Sequence, residues 1–203
     1  NVKQKYHEFF LGYNSKETKI IGKISDNKKY RVFNTKKKVR LKDLNNIHQV
    51  ICFGYKHIIS DEIIKKKNII NLHISYLPYN KGAHPNFWSF AENTPSGVTI
   101  HRVNKYIDGG KILYQKLLDF DLNTNRKKLT FNNTYKILIS EIENLFINNF
   151  DNIINKNFQE FEQIGDGSFH RRSDLPVILR SWDQNIFNTI KKYQQDKKKK
   201  IDK

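Results

Sequence analysis

Short apolar runs recur along the chain, separated by polar segments and by segments that contain glycine or proline. The runs rich in β-branched and aromatic residues predict strands, because such side chains suit a pleated, partly buried surface. The predicted strands cover residues 8–13, 30–33, 50–54, 69–75, 97–103 and 112–120. The run at 50–54 is apolar throughout, which is typical of a central strand in a parallel sheet.

Helices are predicted in the intervals between these strands and after them. Asn14 or Ser15 is expected to cap the first helix, and Ser60 to cap a second that covers residues 58–66. Further helices are predicted at residues 86–91, at 130–154 and in a last amphipathic segment marked by Trp182, Ile186, Ile190 and Tyr193.

The alternation of strands and helices favours a parallel sheet with right-handed crossovers, which is an α/β fold. The length of 203 residues fits one domain. Residues 1–125 are assigned to an α/β core, and residues 126–203 to a helical C-terminal extension of the same domain. The basic tail at 197–203 is expected to fray.

Polar side chains interrupt the apolar strand at 69–75. Asn71, His73 and Ser75 alternate with apolar residues, so a continuous strand would place all three on the same side of the sheet. Pro78 and Gly82 then end the regular structure. An amide, an imidazole and a hydroxyl at the carboxyl end of a strand are an arrangement that α/β sheets use for ligand sites.

Asp108 supplies a carboxylate shortly after the next predicted strand. The glycine pair Gly109-Gly110 is expected to adopt backbone angles that Asp108 itself could not hold, and so to place the carboxylate on a tight turn. Asn71, His73 and Asp108 would together provide an oxyanion donor, a proton acceptor and a group that orients the imidazole. We therefore predict that these three residues are catalytic.

The order of these motifs resembles that of the formyltransferases that use N10-formyltetrahydrofolate. The resemblance is carried by Asn-x-His-x-Ser-x-Leu-Pro at 71–78, Gly-Val-Thr-Ile-His at 97–101 and Asp-Gly-Gly at 108–110. Further segments at 53–59, 82–88 and 168–172 are most similar to the sugar N-formyltransferases, which act on nucleotide-linked 4-amino sugars. The resemblance implies a Rossmann-like, mostly parallel sheet flanked by helices, with a formyl group transferred to an amine in surface-polysaccharide and lipopolysaccharide precursor synthesis.

The resemblance also implies where the two substrates bind. Two loops would line the pterin pocket of the folate, largely through backbone groups. Their residues are Phe53, Gly54, Tyr55, His57, Tyr106 and Ile107. The nucleotide-linked amino sugar would be bound by Ser75, Lys81, His84 and Trp88. Each of these four has a structural alternative: a hydrogen bond within the loop for Ser75, a solvated side chain for Lys81, a structural role for His84 and a core position for Trp88. His101 is expected to be structural or to support the site indirectly.

Composition excludes several other classes of protein. The single cysteine, Cys52, cannot form an internal disulfide, and the sequence opens on no segment typical of a signal peptide, so a cytoplasmic protein is expected. No apolar run approaches ~20 residues, so no membrane span is predicted. The histidines form no spaced set with cysteine or glutamate, so no metal site is predicted. No Gly-x-Gly-x-x-Gly follows the first strand, which disfavours a dinucleotide cofactor.

The net charge of +17 indicates an anionic partner without identifying it. The lysines occur in short runs that are not interleaved with aromatic residues, which disfavours a nucleic-acid platform. A non-catalytic, basic nucleic-acid-binding protein nevertheless remains an alternative. Formyl transfer to glycinamide ribonucleotide or to Met-tRNA is a second alternative within the enzyme class. A homodimer is expected from the resembled enzymes.

Overall fold

The structure, a computed structural model, describes residues 7–11, 18–26, 30–120 and 129–201. Its strands are β1 (His7–Leu11), β2 (Tyr30–Asn34), β3 (Gln49–Phe53), β4 (Ile69–His73), β5 (Lys81–Gly82), β6 (Ser96–Arg102), β7 (Ile112–Leu118) and β8 (Phe169–His170). Its helices are α1 (Lys19–Ser25), α2 (Asp61–Lys66), α3 (Pro85–Ala91), α4 (Phe131–Asn148), α5 (Phe150–Ile154) and α6 (Ile186–Ile201). Short 3₁₀ turns lie at Leu41–Leu44 and Arg172–Asp174.

Six strands form the main sheet, in the order β2-β1-β3-β4-β6-β7. β1 pairs in parallel with β2 and β3, and β3 pairs in parallel with β4. Every residue of β3 is buried, Gln49 included, and the four residues from 50 to 53 are apolar, as predicted for a central strand. In the register of β3 and β4, Cys52 lies beside Asn71. The predicted α/β fold with a mostly parallel sheet is confirmed.

The last two strands of the sheet run against their neighbours. Val103 N donates to Ile69 O at 3.1 Å, and the Asn71 side chain reaches His101, so residue numbers fall along β6 as they rise along β4. Arg102 N likewise donates to Lys111 O at 2.8 Å at the start of β7. The antiparallel arrangement places the end of β6 and the residues after it beside Asn71 on β4.

The chain divides into two compact units. Unit 1 comprises residues 1–73, 100–114 and 142–162, and unit 2 comprises 74–99, 115–141 and 163–203, each within the described part of the chain. Unit 1 has a hydrophobic core that includes Val39, Leu44, Ile47, Val50, Cys52, Ile63 and Ile69. Unit 2 has a mainly aromatic core of Phe87, Trp88, Phe90, Phe131, Ile186 and Ile190.

Several element boundaries differ from those predicted. Thr18 caps α1, since its Oγ1 accepts a hydrogen bond from Ile20 N; the predicted caps Asn14 and Ser15 lie outside the described residues. Ser60 is the N-cap of α2, so residues 58–59 precede the helix. β4 ends at His73, so the strand alternation does not extend to Ser75.

The two predictions for the C-terminal helices were also wrong in detail. Residues 130–154 form two helices, because the helix is interrupted at Asn149. The side-chain amide of Asn149 donates to Leu145 O at 2.8 Å. The basic tail is helical through Ile201 rather than frayed. Lysine is a good helix former, and its charge suits the negative end of the helix dipole. No helix in the described part of the chain is long and apolar enough to cross a membrane.

Candidate active site

Asn71, His73 and Asp108 lie together in unit 1. Asn71 and His73 alternate on β4 and so share one side of the strand. Asn71 Nδ2 donates to Asp108 Oδ1 at 3.0 Å, and His73 Nε2 lies 3.7 Å from Asp108 Oδ2. The side chains of His73 and Asp108 are only 9% and 11% exposed, so the charge of the carboxylate acts on its neighbours with little screening by water.

The loop after β6 holds Asp108 in position. Asn104 bridges the loop, because its Oδ1 accepts from Tyr106 N at 2.9 Å and its Nδ2 donates to Gly109 O at 3.0 Å. Asp108 itself adopts a left-handed conformation, with φ +49°. The expected reason for the glycine pair was therefore wrong, since Asp108 has the unusual backbone angle. Gly110 is required for space instead: a Cβ there would collide with the carbonyl oxygen of Arg102.

His101 is a further member of the cluster and is almost fully buried. Its Nδ1 lies 2.7 Å from Arg102 O, which can only accept, so Nδ1 carries the hydrogen. In the neutral ring Nε2 is then an acceptor, and Asn71 Nδ2 lies 3.2 Å from it. Both amide hydrogens of Asn71 are thus donated, one to Asp108 and one to His101. The same Nε2 lies 3.4 Å from Asp108 Oδ1, within ion-pair distance when the ring is protonated.

The cluster opens into a pocket of about 240 Å³. This volume is close to the lower end of the ~300–1,000 Å³ found for small-molecule sites. Asn71, His101 and Asp108 contribute to its lining, as do Tyr55 and His57 from the loop that follows β3. The other predicted folate contacts that line the pocket are Tyr106 and Ile107.

Phe53 and Gly54 are the predicted folate contacts that do not line this pocket. Phe53 is buried at the end of β3. Gly54 adopts φ +64°, which turns the chain out of the strand and into the loop that carries Tyr55 and His57. Phe53 and Gly54 therefore affect the pocket by positioning that loop.

Tyr55 and Cys52 have pKa values that burial displaces. Burial raises the pKa of the Cys52 thiol to about 12, and the nearby Asp108 carboxylate acts in the same direction. The pKa of Tyr55 is also raised, chiefly by burial. The Tyr55 hydroxyl is therefore protonated at neutral pH: it accepts from Val39 N and donates to Lys37 O, both at 3.0 Å.

The four predicted sugar-nucleotide contacts all lie in unit 2. Ser75 is buried, and its hydroxyl donates to Tyr79 O at 2.6 Å, which corresponds to the structural alternative for this residue. Lys81 is half-buried in β5, which pairs with β8.

His84 lies at the start of α3, and Trp88 lies within this helix. His84 is the N-cap, with φ +55°, and its ring lies 5.4 Å from that of Trp182. Burial and the nearby Arg172 lower the pKa of His84, so its imidazole is neutral at pH 7. Trp88 is 5% exposed and stacks on His170 at 3.9 Å, a core position that matches the alternative interpretation of this residue.

Among the described residues, no group of three or more histidine, cysteine, aspartate or glutamate side chains could hold a metal ion. The arrangement in unit 1 combines an amide donor, two imidazoles and a carboxylate beside a pocket. Such a set can orient a carbonyl group, stabilise an oxyanion and accept a proton.

Comparison of the sequence with known proteins identifies the family that its motifs resemble. The model of the formyl transferase family matches residues 13–134. The bifunctional polymyxin resistance protein ArnA of Wigglesworthia glossinidia brevipalpis is 31% identical over 150 residues, which are 70% of this chain and 22% of that protein. The methionyl-tRNA formyltransferase of Ehrlichia ruminantium (strain Gardel) is 34% identical over 121 residues, 57% of this chain and 38% of that protein. The match thus spans well under half the length of these curated relatives.

One solved structure is similar over nearly its whole length. It is the formyltransferase PseJ from Anoxybacillus kamchatkensis, in complex with UDP-4,6-dideoxy-4-formamido-L-AltNAc and tetrahydrofolate. The two chains are 33% identical and superpose with a TM-score of 0.79, over 91% of this chain and 97% of PseJ.

Proposed function

The chain belongs to the formyl transferase family, and from this premise we propose that it transfers a formyl group from N10-formyltetrahydrofolate to the primary amine of a nucleotide-linked amino sugar. The observation that carries the proposal is the similarity to PseJ, which spans 97% of that enzyme. PseJ is bound to tetrahydrofolate and to a UDP-sugar with a formamido group. A formamide is what remains when a primary amine accepts a formyl group.

The pocket in unit 1 is the proposed donor site. Tyr55 and His57 would contact the pterin from the loop after β3, and Tyr106 and Ile107 from the loop after β6. Phe53 and Gly54 would act by placing the first of these loops. The pocket adjoins Asn71, His101 and Asp108, so a formyl group carried on a folate in it would lie close to the polar cluster.

The polar cluster supports a direct transfer. The neutral amine attacks the formyl carbon, a C–N bond forms and negative charge develops on the formyl oxygen. His73 would take the proton from the amine, and the imidazolium so formed would stabilise the oxyanion together with Asn71. Asp108 would orient His73 and help to return the proton to N10 as the C–N10 bond breaks. Since Asn71 donates to Asp108 and His101, donation to the substrate requires one of these bonds to be exchanged.

For the acceptor, we propose contacts from Ser75, Lys81, His84 and Trp88. His84 suits such a contact, because its neutral ring at pH 7 can accept a hydrogen bond from a sugar hydroxyl. The lysine ammonium of Lys81 suits a diphosphate. Ser75 and Trp88, which are buried, would act by supporting the surrounding loop and helix rather than by presenting a free surface.

We further propose that the enzyme is a cytoplasmic homodimer that supplies precursors for surface polysaccharides, lipopolysaccharide among them. The thiol of Cys52 is free and buried, which is compatible with a reducing compartment. Light scattering of the purified protein at micromolar concentration tests the dimer: a mass near 48 kDa is expected against the 24.2 kDa of one chain.

The test of the activity is a formyl-transfer assay read by mass spectrometry. The protein is mixed with N10-formyltetrahydrofolate and a panel of UDP-, dTDP- and GDP-linked amino sugars, and one acceptor is expected to gain the mass of a formyl group. Asn71→Ala, His73→Ala and Asp108→Ala should each lower kcat/KM; loss of one oxyanion donor typically costs about 100- to 1,000-fold. Full turnover in all three variants would contradict the assignment.

The relationship to a methionyl-tRNA formyltransferase, at 34% identity, makes Met-tRNA the second acceptor to include. Formylation of Met-tRNA with no activity on any sugar would move the proposal to that acceptor and leave the reaction itself unchanged.

A further inference from the structure

Basic side chains gather beside the proposed donor pocket. Lys36, Lys37 and Lys38, here called the basic rim, form an exposed loop directly before Val39. The rim is tied to the pocket wall: His57 Nε2 lies 3.0 Å from Lys36 O, and Tyr55 Oη donates to Lys37 O at 3.0 Å. Both His57 and Tyr55 line the pocket.

Two further lysines belong to the wall itself. Lys56 and Lys105 line the pocket and are exposed. Two acidic side chains, Asp61 and Asp108, also belong to the lining, and Asp108 is hydrogen-bonded to Asn71. Among the described residues, none of the five lysines has a carboxylate within 4.0 Å, whereas nearby Arg40 is paired with Asp43 at 3.2 Å. The five lysines therefore outnumber the two aspartates of the lining, which leaves a surplus of positive charge around the pocket.

Exposed apolar side chains line the same pocket as Lys56 and Lys105. Ile58, Tyr106 and Ile107 all line the pocket, and they are 80%, 64% and 52% exposed. An exposed apolar lip next to unpaired lysines suits a ligand with an aromatic middle and an anionic end. Monoglutamyl folate has such an end, with two carboxylates, and a γ-linked glutamate chain adds one more carboxylate with each residue.

On this basis we propose that the basic rim binds the γ-linked polyglutamate tail of the folate, so that the protein selects polyglutamylated over monoglutamylated co-substrate. The inference rests on the proposed function, because it takes the pocket to be the donor site. The attraction is between exposed charges, so it is modest for each pair, adds over several pairs and weakens with salt.

Direct binding tests the inference without an acceptor. Tetrahydrofolate monoglutamate and triglutamate are titrated into the full chain by calorimetry at about 0.01 M ionic strength, where the screening length is ~30 Å. The triglutamate is expected to bind about tenfold more tightly. At about 1 M ionic strength, where the screening length is ~3 Å, the two Kd values should converge.

Matched charge variants locate the effect. The triple change Lys36→Gln, Lys37→Gln and Lys38→Gln should bring the ratio of the two Kd values close to one. The control is the triple change Lys197→Gln, Lys198→Gln and Lys199→Gln, which removes the same charge from exposed positions on α6 and should keep the ratio. Circular dichroism confirms that both variants are folded before binding is compared.

The outcomes separate this inference from the proposed function. Equal affinity of the wild-type protein for both folates, or a ratio that persists in the rim variant, overturns the tail site and leaves formyl transfer intact. Binding of neither folate overturns both the donor pocket and the tail site. If the rim variant instead loses affinity for UDP while its folate ratio is unchanged, the lysines serve the acceptor and the tail site is wrong.

Discussion

Asn71 makes the two hydrogen bonds that define the site at the scale of single residues. Its amide donates to Asp108 Oδ1 and to His101 Nε2, at 3.0 and 3.2 Å. These bonds fix the orientation of the amide before any carbonyl group reaches it. His101 is in turn held by its own bond to the backbone of Arg102. In the proposed reaction His101 would be a positioning residue, because it would act through Asn71.

We predict that His101→Ala lowers kcat by about tenfold, the loss expected when one hydrogen bond that orients a catalytic group is removed. KM for the folate should change less, because Asn71 and the pocket walls remain. His101→Gln supplies a side-chain oxygen as an alternative acceptor and should recover part of the loss. Steady-state kinetics of the three proteins provide the check; equal losses in both variants would show that the imidazole is needed for another reason.

Cys52 is predicted to be unreactive in the folded protein. Burial raises its pKa to about 12, so the reactive thiolate is scarce at pH 7 to 9. In the unfolded chain the thiol has a pKa of ~8.5, so its alkylation accelerates as the pH rises from 7 to 9. Iodoacetamide should thus modify the native protein at least about 100-fold more slowly than the urea-unfolded chain at pH 8.

The single cysteine makes the measurement direct, because Cys52→Ala provides a thiol-free protein that reports the background modification of other side chains. Incorporation of the reagent is followed by mass at pH 7, 8 and 9. With a pKa of about 12, the native rate should rise about tenfold per pH unit up to pH 9, because the thiolate fraction does so; a native rate that levels off between pH 8 and 9, as the unfolded rate does, would contradict the raised pKa.

The contributions of Asn71, His73 and Asp108 to the cluster could be predicted from the sequence, and His101 was expected to support the site indirectly, but its contact with Asn71 could not be predicted. The first three fall in the motifs at 71–78 and 108–110, where their spacing carries the signal. His101 ends the motif at 97–101, but that motif alone does not indicate which residue His101 contacts. Its place beside Asn71 follows from the antiparallel register of β4 and β6, which depends on long-range pairing that local sequence does not encode.

At the scale of elements, α1 is anchored to α4 within unit 1 by one buried hydrogen bond. Thr18 Oγ1 donates to Glu143 Oε1 at 2.6 Å and also accepts from Ile20 N as the cap of α1. Lys19 N lies 3.3 Å from the same Glu143 oxygen. Thr18 and Glu143 are both buried, so little water is available to replace either bond.

Thr18→Ala is therefore predicted to lower the free energy of unfolding by about 2 kcal/mol, since it removes a helix cap and leaves a buried carboxylate short of a donor. Thr18→Ser keeps the hydroxyl and is the matched control, for which a much smaller loss is expected. Urea unfolding followed by circular dichroism measures both. The link between α1 and α4 would be unimportant if the alanine and serine variants unfolded at the same urea concentration.

The strand interiors were predictable at this scale, but several element ends were not. The apolar run of β3 defines a strand wherever it lies in a sheet. The end of β4 at His73 depends instead on the following turn, in which the Ser75 hydroxyl binds Tyr79 O. The break at Asn149 similarly depends on one side-chain amide that captures a carbonyl group of the preceding turn. Apolar periodicity carries no information on either bond.

At the scale of the whole molecule, one part of the helical C-terminal extension belongs to unit 1, which carries the polar cluster. Unit 1 includes residues 142–162 together with β3, β4 and the loop of Asp108. Three contacts join residues 142–162 to earlier parts of unit 1. They are the hydrogen bond of Thr18 with Glu143, the edge-on packing of Tyr30 and Phe150 at 5.5 Å, and the backbone pairing of Ile112 with Phe161. Residues 115–120 and 129–141 both belong to unit 2, so the proposed boundary near residue 125 does not separate the two units.

We predict that a chain ending at residue 125 does not fold. It would lack 142–162, and the buried partners of α1 and β2 would be exposed to water. The control is a chain that ends at Tyr193, because the residues of α6 from 194 to 199 are all exposed and contribute no buried surface. Circular dichroism and urea titration should show a cooperative transition for the control and none for the shorter chain. A cooperative transition in both would mean that residues 1–125 form an independent domain, to which the extension adds only surface.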